Sequence, residues 1–144
     1  MEALRVFIAI DIEDPNILSR LIMLRDTIVS TNVPMKPVED QNIHITLRFI
    51  GNVPRSLVDM IAKDVLGRLR FSKFTIVLKG LGAFPSTNRP RVVWVGVEKG
   101  YEELKKIRDE IEKGLRRLGI KPEKEEFIPH ITLARIKGTR NISS

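Results

Sequence analysis

The two histidines of this 144-residue chain each open the same tetrapeptide. One is His44-Ile45-Thr46-Leu47, the other His130-Ile131-Thr132-Leu133. Along a strand, successive side chains point to opposite faces. Each motif therefore presents an imidazole and a hydroxyl on one face and turns Ile and Leu toward a core. An unperturbed imidazole titrates at about 6.5, so two facing rings can be one neutral and one protonated near neutral pH. The neutral ring can take a proton from water or a hydroxyl. The protonated ring can give one to a leaving oxygen, and each transfer typically contributes ~10²–10⁴-fold. Thr46 and Thr132 can donate O–H hydrogen bonds to the non-bridging oxygens of a phosphate. This set suits phosphodiester transfer at a ribose and needs no metal.

A single strand histidine is usually a structural imidazole. Two of them, each with Thr two residues on, favour chemistry over a motif copied passively by duplication. Metal ligation has little support. Glu39, Asp40, Glu125 and Glu126 lie shortly before the histidines, but no helical His-x-x-x-His spacing or short His/carboxylate cluster accompanies them. These acids are placed in the loops that enter the strands, and neither metal nor cofactor is expected. The chain has no cysteine, which excludes disulfides, thiolate metal sites and thiol nucleophiles.

The elements that must position these residues come from an internal repeat. Arg5-Val6-Phe7-Ile8-Ala9-Ile10 aligns with Arg91-Val92-Val93-Trp94-Val95-Gly96 at an offset of 86 (5 to 91), and the His motifs keep the same offset (44 to 130). Leu18 then meets Leu104, Glu39 meets Glu125, and Ile50 meets Ile136. Each half reads as strand, helix, strand. Arg5 to Ile12 is an apolar run expected to be a buried strand. Asp14-Pro15 supplies an N-cap and a first-turn proline, and Ile17, Leu18, Leu21, Leu24 and Ile28 mark a helical face. In the second half Tyr101, Leu104, Ile107, Ile111, Leu115 and Leu118 form a cleaner face, with Arg116 and Arg117 in its last turn and Gly119 placed to end it.

Between the halves, Pro54 opens a helix with Leu57, Val58, Ile61, Val65 and Leu69 inward. A strand from Phe74 to Leu81 and a turn from Pro85 to Pro90 follow. The first unit, about 1–86, is thus β-α-β-α-β. The second, about 87–144, lacks a counterpart of the last helix and strand, which would begin near residue 138. The expectation is one bilobal domain over 1–144, incomplete in its second half, either a monomer or a dimer paired through an exposed sheet edge.

Hydrophobic residues are 42 %, which places the chain among globular proteins. No apolar run reaches the roughly 18 residues of a membrane span. The apolar amino terminus lacks the basic region and cleavage site of a signal peptide, so no membrane association and a cytoplasmic location are expected. The 25 Lys+Arg against 18 Asp+Glu give +7, which favours a polyanionic partner.

The paired motifs, within Asn42-Ile43-His44-Ile45-Thr46-Leu47-Arg48-Phe49-Ile50-Gly51 and Pro129-His130-Ile131-Thr132-Leu133-Ala134-Arg135, closely resemble the 2H phosphoesterase superfamily. Within it the chain resembles the LigT-like RNA 2′,3′-cyclic phosphodiesterases, formerly called 2′-5′ RNA ligases. The likeness covers essentially the whole chain, including Phe84-Pro85-Ser86-Thr87-Asn88-Arg89-Pro90-Arg91-Val92-Val93-Trp94. It implies a pseudo-twofold α+β fold with mainly antiparallel sheets and the motif strands facing a central groove. It also implies hydrolysis of a terminal 2′,3′-cyclic phosphate on RNA to a 2′-phosphomonoester, with reverse 2′-5′ ligation of tRNA halves as a further activity. His44 would be the proton donor, His130 the acceptor, and Thr46 and Thr132 would hold the phosphate. Arg135 matches a phosphate-binding arginine, and Arg48 matches a common basic position. A phosphodiesterase of small cyclic nucleotides and a non-catalytic module that binds RNA ends are the competing readings. Strict alternation puts Arg48 on the His44 face but Arg135 opposite His130, unless the strand bulges after Leu133. Phe49 alternates to the core side.

Overall fold

Local signals and element boundaries agree best around the helices. In the computed structural model, which describes residues 3–85 and 90–137, helix α1 spans Pro15–Val29 with Pro in its first turn. The Asp14 carboxylate accepts from the backbone N–H groups of Asn16 and Ile17. Helix α3 spans Tyr101–Arg117. It closes as expected at Gly119, whose φ of +84° is a left-handed conformation that a side chain would strain. Ile120 N–H donates to Leu115 C=O and Gly119 N–H to Arg116 C=O, both at 3.0 Å, which satisfies the last carbonyls. Helix α2, Arg55–Met60, continues through a π-helical turn at Ile61–Val65 and a 3₁₀ turn at Leu66–Arg68.

Six strands complete the fold: β1 Ala3–Asp11, β2 Met35–Pro37, β3 His44–Pro54, β4 Val77–Phe84, β5 Val92–Lys99 and β6 His130–Ile136. Hydrogen-bonded neighbours follow the order β1-β3-β6-β5-β4, with β2 also paired to β6. The pairs β2·β6, β3·β6 and β5·β6 are antiparallel. The architecture is α+β, as the sequence implies.

The chain forms two compact units. One contains residues 3–9, 46–77 and 99–129. Its core gathers Leu47, Val53, Ile61, Val65, Leu104, Ile107, Ile111 and Leu115, all buried. Fully burying side chains of this size contributes about 1.5–3 kcal/mol each. Gly114 lets α3 approach the π-helical turn, since a Cβ there would stand 2.9 Å from Val65 Cγ1. The other unit contains residues 10–45, 78–85, 90–98 and 130–137. Its core gathers Leu21, Ile43, Ile45, Val95, Ile131, Leu133 and Ala134. Each unit therefore draws on both sequence repeats.

Several local expectations are corrected. Strand β1 is not buried: it lies at the end of the strand order, only Ile8 is covered, and Phe7 is 44 % exposed. The fourth strand begins at Val77 rather than Phe74. In α1 only Leu21 of the expected face is buried, and Ile17 is exposed. β2 has no signature in the sequence, because three residues are too few to show alternation. The turn between Pro85 and Pro90 falls largely on residues 86–89, outside the described residues, as do residues 138–144, on which the expectation of an incomplete second unit turns.

Candidate active site

His44 and His130 begin β3 and β6, and the two strands are joined antiparallel at Ile45↔Ile131. Those two isoleucines are 1 % and 0 % exposed, so their side chains anchor the strands to the core. One residue either side of each isoleucine, on the opposite face, stand His44 and Thr46 on β3 and His130 and Thr132 on β6. Extending this antiparallel register places His44 across from Thr132, both in the second compact unit. All four motif side chains are half-buried. They are neither sealed in the core nor free on the surface, which suits groups that must meet a substrate.

Burial lowers the His44 pKa below its ordinary value, and the nearby Asp11 carboxylate partly offsets this by favouring the charged ring. Asp11 ends β1 and belongs to the same unit. His130 sits in an aromatic frame. The Phe84 ring meets it edge-on at 5.0 Å between centroids, and Trp94 lies 5.7 Å away. Phe84 and Trp94 pack together at 4.9 Å. Trp94 can lie there because β4 carries Gly82 beneath it. A Cβ at Gly82 would come within 2.4 Å of the indole. Trp94 pairs across β5·β6 with Thr132, and Gly96 with His130. Phe84 and Trp94 stand beside His130 although residue type and spacing do not single them out; the signal in the sequence is the Phe84–Trp94 stretch that carries the family likeness.

Arg135 depends on a bulge. On β5·β6, Val93 pairs with Ala134 but Trp94 pairs with Thr132, so Leu133 is an extra residue on β6. Leu133 and Ala134 are both fully buried, which reverses the alternation and sets exposed Arg135 in phase with Thr132. The bulge that Arg135 needs to reach that face is present.

Arg48 behaves otherwise. It is 6 % exposed, its Nε donates to the Glu112 carboxylate, and its Nη atoms donate to Phe49 C=O at 2.7 Å and Lys121 C=O at 2.5 Å. Glu123 lies 3.6 Å away. The expectation that Arg48 shares the His44 face is therefore corrected. Leu47 and Arg48 are buried in succession, as Leu133 and Ala134 are, so the phase shifts and the guanidinium turns inward. The same shift exposes Phe49 to 46 %, in phase with Thr46, with Arg5 Cζ 5.2 Å from its ring centroid. Phe49 is not the packing residue that strict alternation implies.

Glu39, Asp40, Glu125 and Glu126 stay in the segments before the strands. Asp40 accepts from Arg25 Nη1 at 2.5 Å, and the same nitrogen donates to Val38 C=O at 2.8 Å. Among the described residues, no group of three or more His, Asp or Glu side chains could hold a metal ion.

The family model described as LigT like Phosphoesterase matches residues 10–94 and 95–142. The chain belongs to the LigT-like phosphoesterase family. Curated members similar to it include the RNA 2′,3′-cyclic phosphodiesterase of Aeropyrum pernix, 58 % identical over 85 % of this chain and 69 % of that one. That of Methanothermobacter thermautotrophicus is 34 % identical over 95 % and 73 %. Among solved structures, Escherichia coli LigT in its apo form matches with a TM-score of 0.75 and 31 % identity, covering 94 % of this chain and 73 % of that one. LigT complexed with 3′-AMP matches at 0.77 and 30 %, covering 93 % and 74 %. No helix among the described residues of this LigT-like chain is long and apolar enough to cross a membrane.

Proposed function

We propose that this LigT-like phosphoesterase hydrolyses terminal 2′,3′-cyclic phosphates on RNA to 2′-phosphomonoesters by two-histidine acid/base chemistry that needs no metal. The observation that carries the reading is the joining of two His-x-Thr strands at Ile45↔Ile131, with each histidine and threonine half-buried on the face away from that pair. The names of the relatives, RNA 2′,3′-cyclic phosphodiesterase, support the substrate class.

In this mechanism the neutral His130 ring removes a proton from water as its oxygen attacks phosphorus. The bond from phosphorus to the ribose 3′ oxygen breaks, and protonated His44 supplies that oxygen with its proton. The phosphate remains on the 2′ oxygen. Thr46 and Thr132 donate hydrogen bonds to the non-bridging oxygens, whose charge must be held through the transition state. Arg135 adds a cation on the same face as Thr132. Arg48 takes no part in binding, because its donors are committed within the fold. The lowered pKa of His44 favours the neutral ring in the free protein, so as donor it gains its proton most readily when an anionic phosphate arrives.

The test is turnover of an RNA oligomer ending in a 2′,3′-cyclic phosphate, in EDTA and across pH, by the unmodified chain and His130→Ala. Turnover that survives chelation, is bell-shaped in pH and disappears in the variant is expected. Activity abolished by EDTA would overturn the metal-free mechanism. If His44→Ala matched wild type, the catalytic reading would give way to an RNA-end binding module. Joining of tRNA halves through a 2′-5′ bond, the reverse step, follows from the same groups and is read in the same assay with a 5′-hydroxyl acceptor. A steep fall of affinity with salt separates RNA from small cyclic nucleotides. Sedimentation separates a monomer from a dimer paired through its sheet edge.

A further inference from the structure

Residues 69–76 run between the 3₁₀ turn and β4 without regular structure, and with α3 they line a cleft of about 420 Å³. Leu69, Ile107, Phe71 and Phe74 are its apolar lining; the two rings meet edge to face at 6.3 Å, and Phe71 is 62 % exposed. Cations alternate with the rings along the chain, as Arg70-Phe71-Ser72-Lys73-Phe74. Lys106 of α3 lines the cleft together with Arg70 and Lys73. An adjoining cleft that shares Leu69 and Arg70 adds Arg68 and Arg117. The carboxylates present are Glu103, Asp64 and Glu110, and Glu110 is already held by Lys113 at 3.1 Å. Among the described residues, none of the five cations lies in an ion pair. All of these residues belong to the first compact unit.

Cations outside ion pairs, set beside one exposed ring (Phe71) and one half-buried ring (Phe74), meet the physical requirements of a single-stranded nucleic acid site. Rings stack bases of any sequence, and the cations follow the phosphates. An acidic peptide would use the charges but leave the ring faces unexplained. We infer that this cleft binds single-stranded RNA away from its reacting end. The inference rests on the proposed RNA substrate, and it would make the enzyme prefer oligomers over cyclic mononucleotides.

Binding of a fluorescein-labelled oligoribonucleotide of about ten residues with hydroxyl ends, followed by anisotropy across salt, tests the cleft independently of turnover. Phe71→Ala is expected to weaken binding on the order of tenfold. Arg70→Ala with Lys73→Ala is expected to lower the salt slope by about 1.4, at roughly 0.7 for each phosphate no longer neutralised. Both variants should hydrolyse a 2′,3′-cyclic mononucleotide as wild type does. Wild-type RNA affinity in both variants would overturn the inference, and so would binding of polyglutamate as tight as that of RNA. An equal loss of mononucleotide turnover would also overturn it, since the cleft would then serve the fold. If the wild type hydrolyses no cyclic end yet binds RNA through Phe71, the proposed function fails and the cleft stands.

Discussion

Strands β3 and β6 run through the same succession of burial from their histidines onward: half-buried, buried, half-buried, buried, buried, exposed, half-buried. The residues that fill the succession match at five of the seven positions and differ only at the fifth and sixth. Arg48 stands where the second repeat has Ala134, and Phe49 where it has Arg135. The two successive buried positions in each strand require something that fits inside. Ala134 does so by being small, within the bulge opposite β5. Arg48 does so by directing its donors to Glu112 and to two carbonyls. The two repeats thus share the His-x-Thr motif and the phase shift, while the two buried solutions differ. One became plain packing and the other a buried ion pair.

Arg25 extends the comparison. Arg48 bonds the carbonyl of Lys121 in the segment that leads to His130, and Arg25 bonds the carbonyl of Val38 and the carboxylate of Asp40 just before His44. Each histidine strand is entered through a segment tied down by a largely buried guanidinium. The two arginines are not repeat equivalents, since Arg25 aligns with Ile111 of α3. That substitution is one reason α1 buries a weaker apolar face than α3, which covers Leu104, Ile107, Ile111 and Leu115.

The largest effects are expected at the histidines. His44→Ala and His130→Ala should each lower kcat on a cyclic-ended RNA by at least ~10³-fold, and the double variant should be little worse than either, because the pair acts as a unit. A double variant showing the full product of the two losses would mean the rings work separately. Next, Arg48→Met leaves the Glu112 carboxylate with Arg108 alone, 3.7 Å away, and should destabilise folding by up to about 3–5 kcal/mol in chemical denaturation. Arg135→Met should change stability by under about 0.5 kcal/mol, as exposed substitutions do, and should instead raise KM. Equal behaviour of the two arginines would erase the distinction between them.

Smaller effects are expected at Phe49 and in the pH dependence. Phe49→Ala removes an exposed ring and its contact with Arg5, a loss of about 0.5–1 kcal/mol. If the exposed position serves substrate, as proposed for Arg135, KM for RNA should rise severalfold with kcat little changed. The last effect is on pH. As proton donor, His44 must be charged, and burial holds its pKa low in the free protein. The alkaline limb of kcat/KM, which reports the free enzyme, should therefore lie at lower pH than that of kcat, which reports the complex with its phosphate. The same depression gives a sign for stability. The contribution at His44 is present above the unfolded pKa of about 6.5 and is lost as pH falls through the lower folded value. Limbs in the reverse order would exchange the roles of the two histidines.

Much of this protein is determined by local sequence. The caps at Asp14 and Gly119, the α3 face and the two His-x-Thr motifs are local patterns whose period or chemistry survives in any context. The 86-residue offset then relates the two motifs, and the structure pairs their strands at Ile45↔Ile131. What failed were statements that assumed alternation continues unbroken. Arg48, Phe49 and Arg135 all lie beyond the point where two successive residues turn inward, and neither strand carries a glycine or proline at that step to announce it. The burial of β1 could not be read either, because an apolar run looks the same at the end of a sheet as in its middle. Phe84 and Trp94 reach His130 only because β4, β5 and β6 are neighbours. Side-chain type is written in the sequence, but which face a residue occupies after a bulge, and which ring stands beside an imidazole, are decided by hydrogen-bond register between strands distant in the chain.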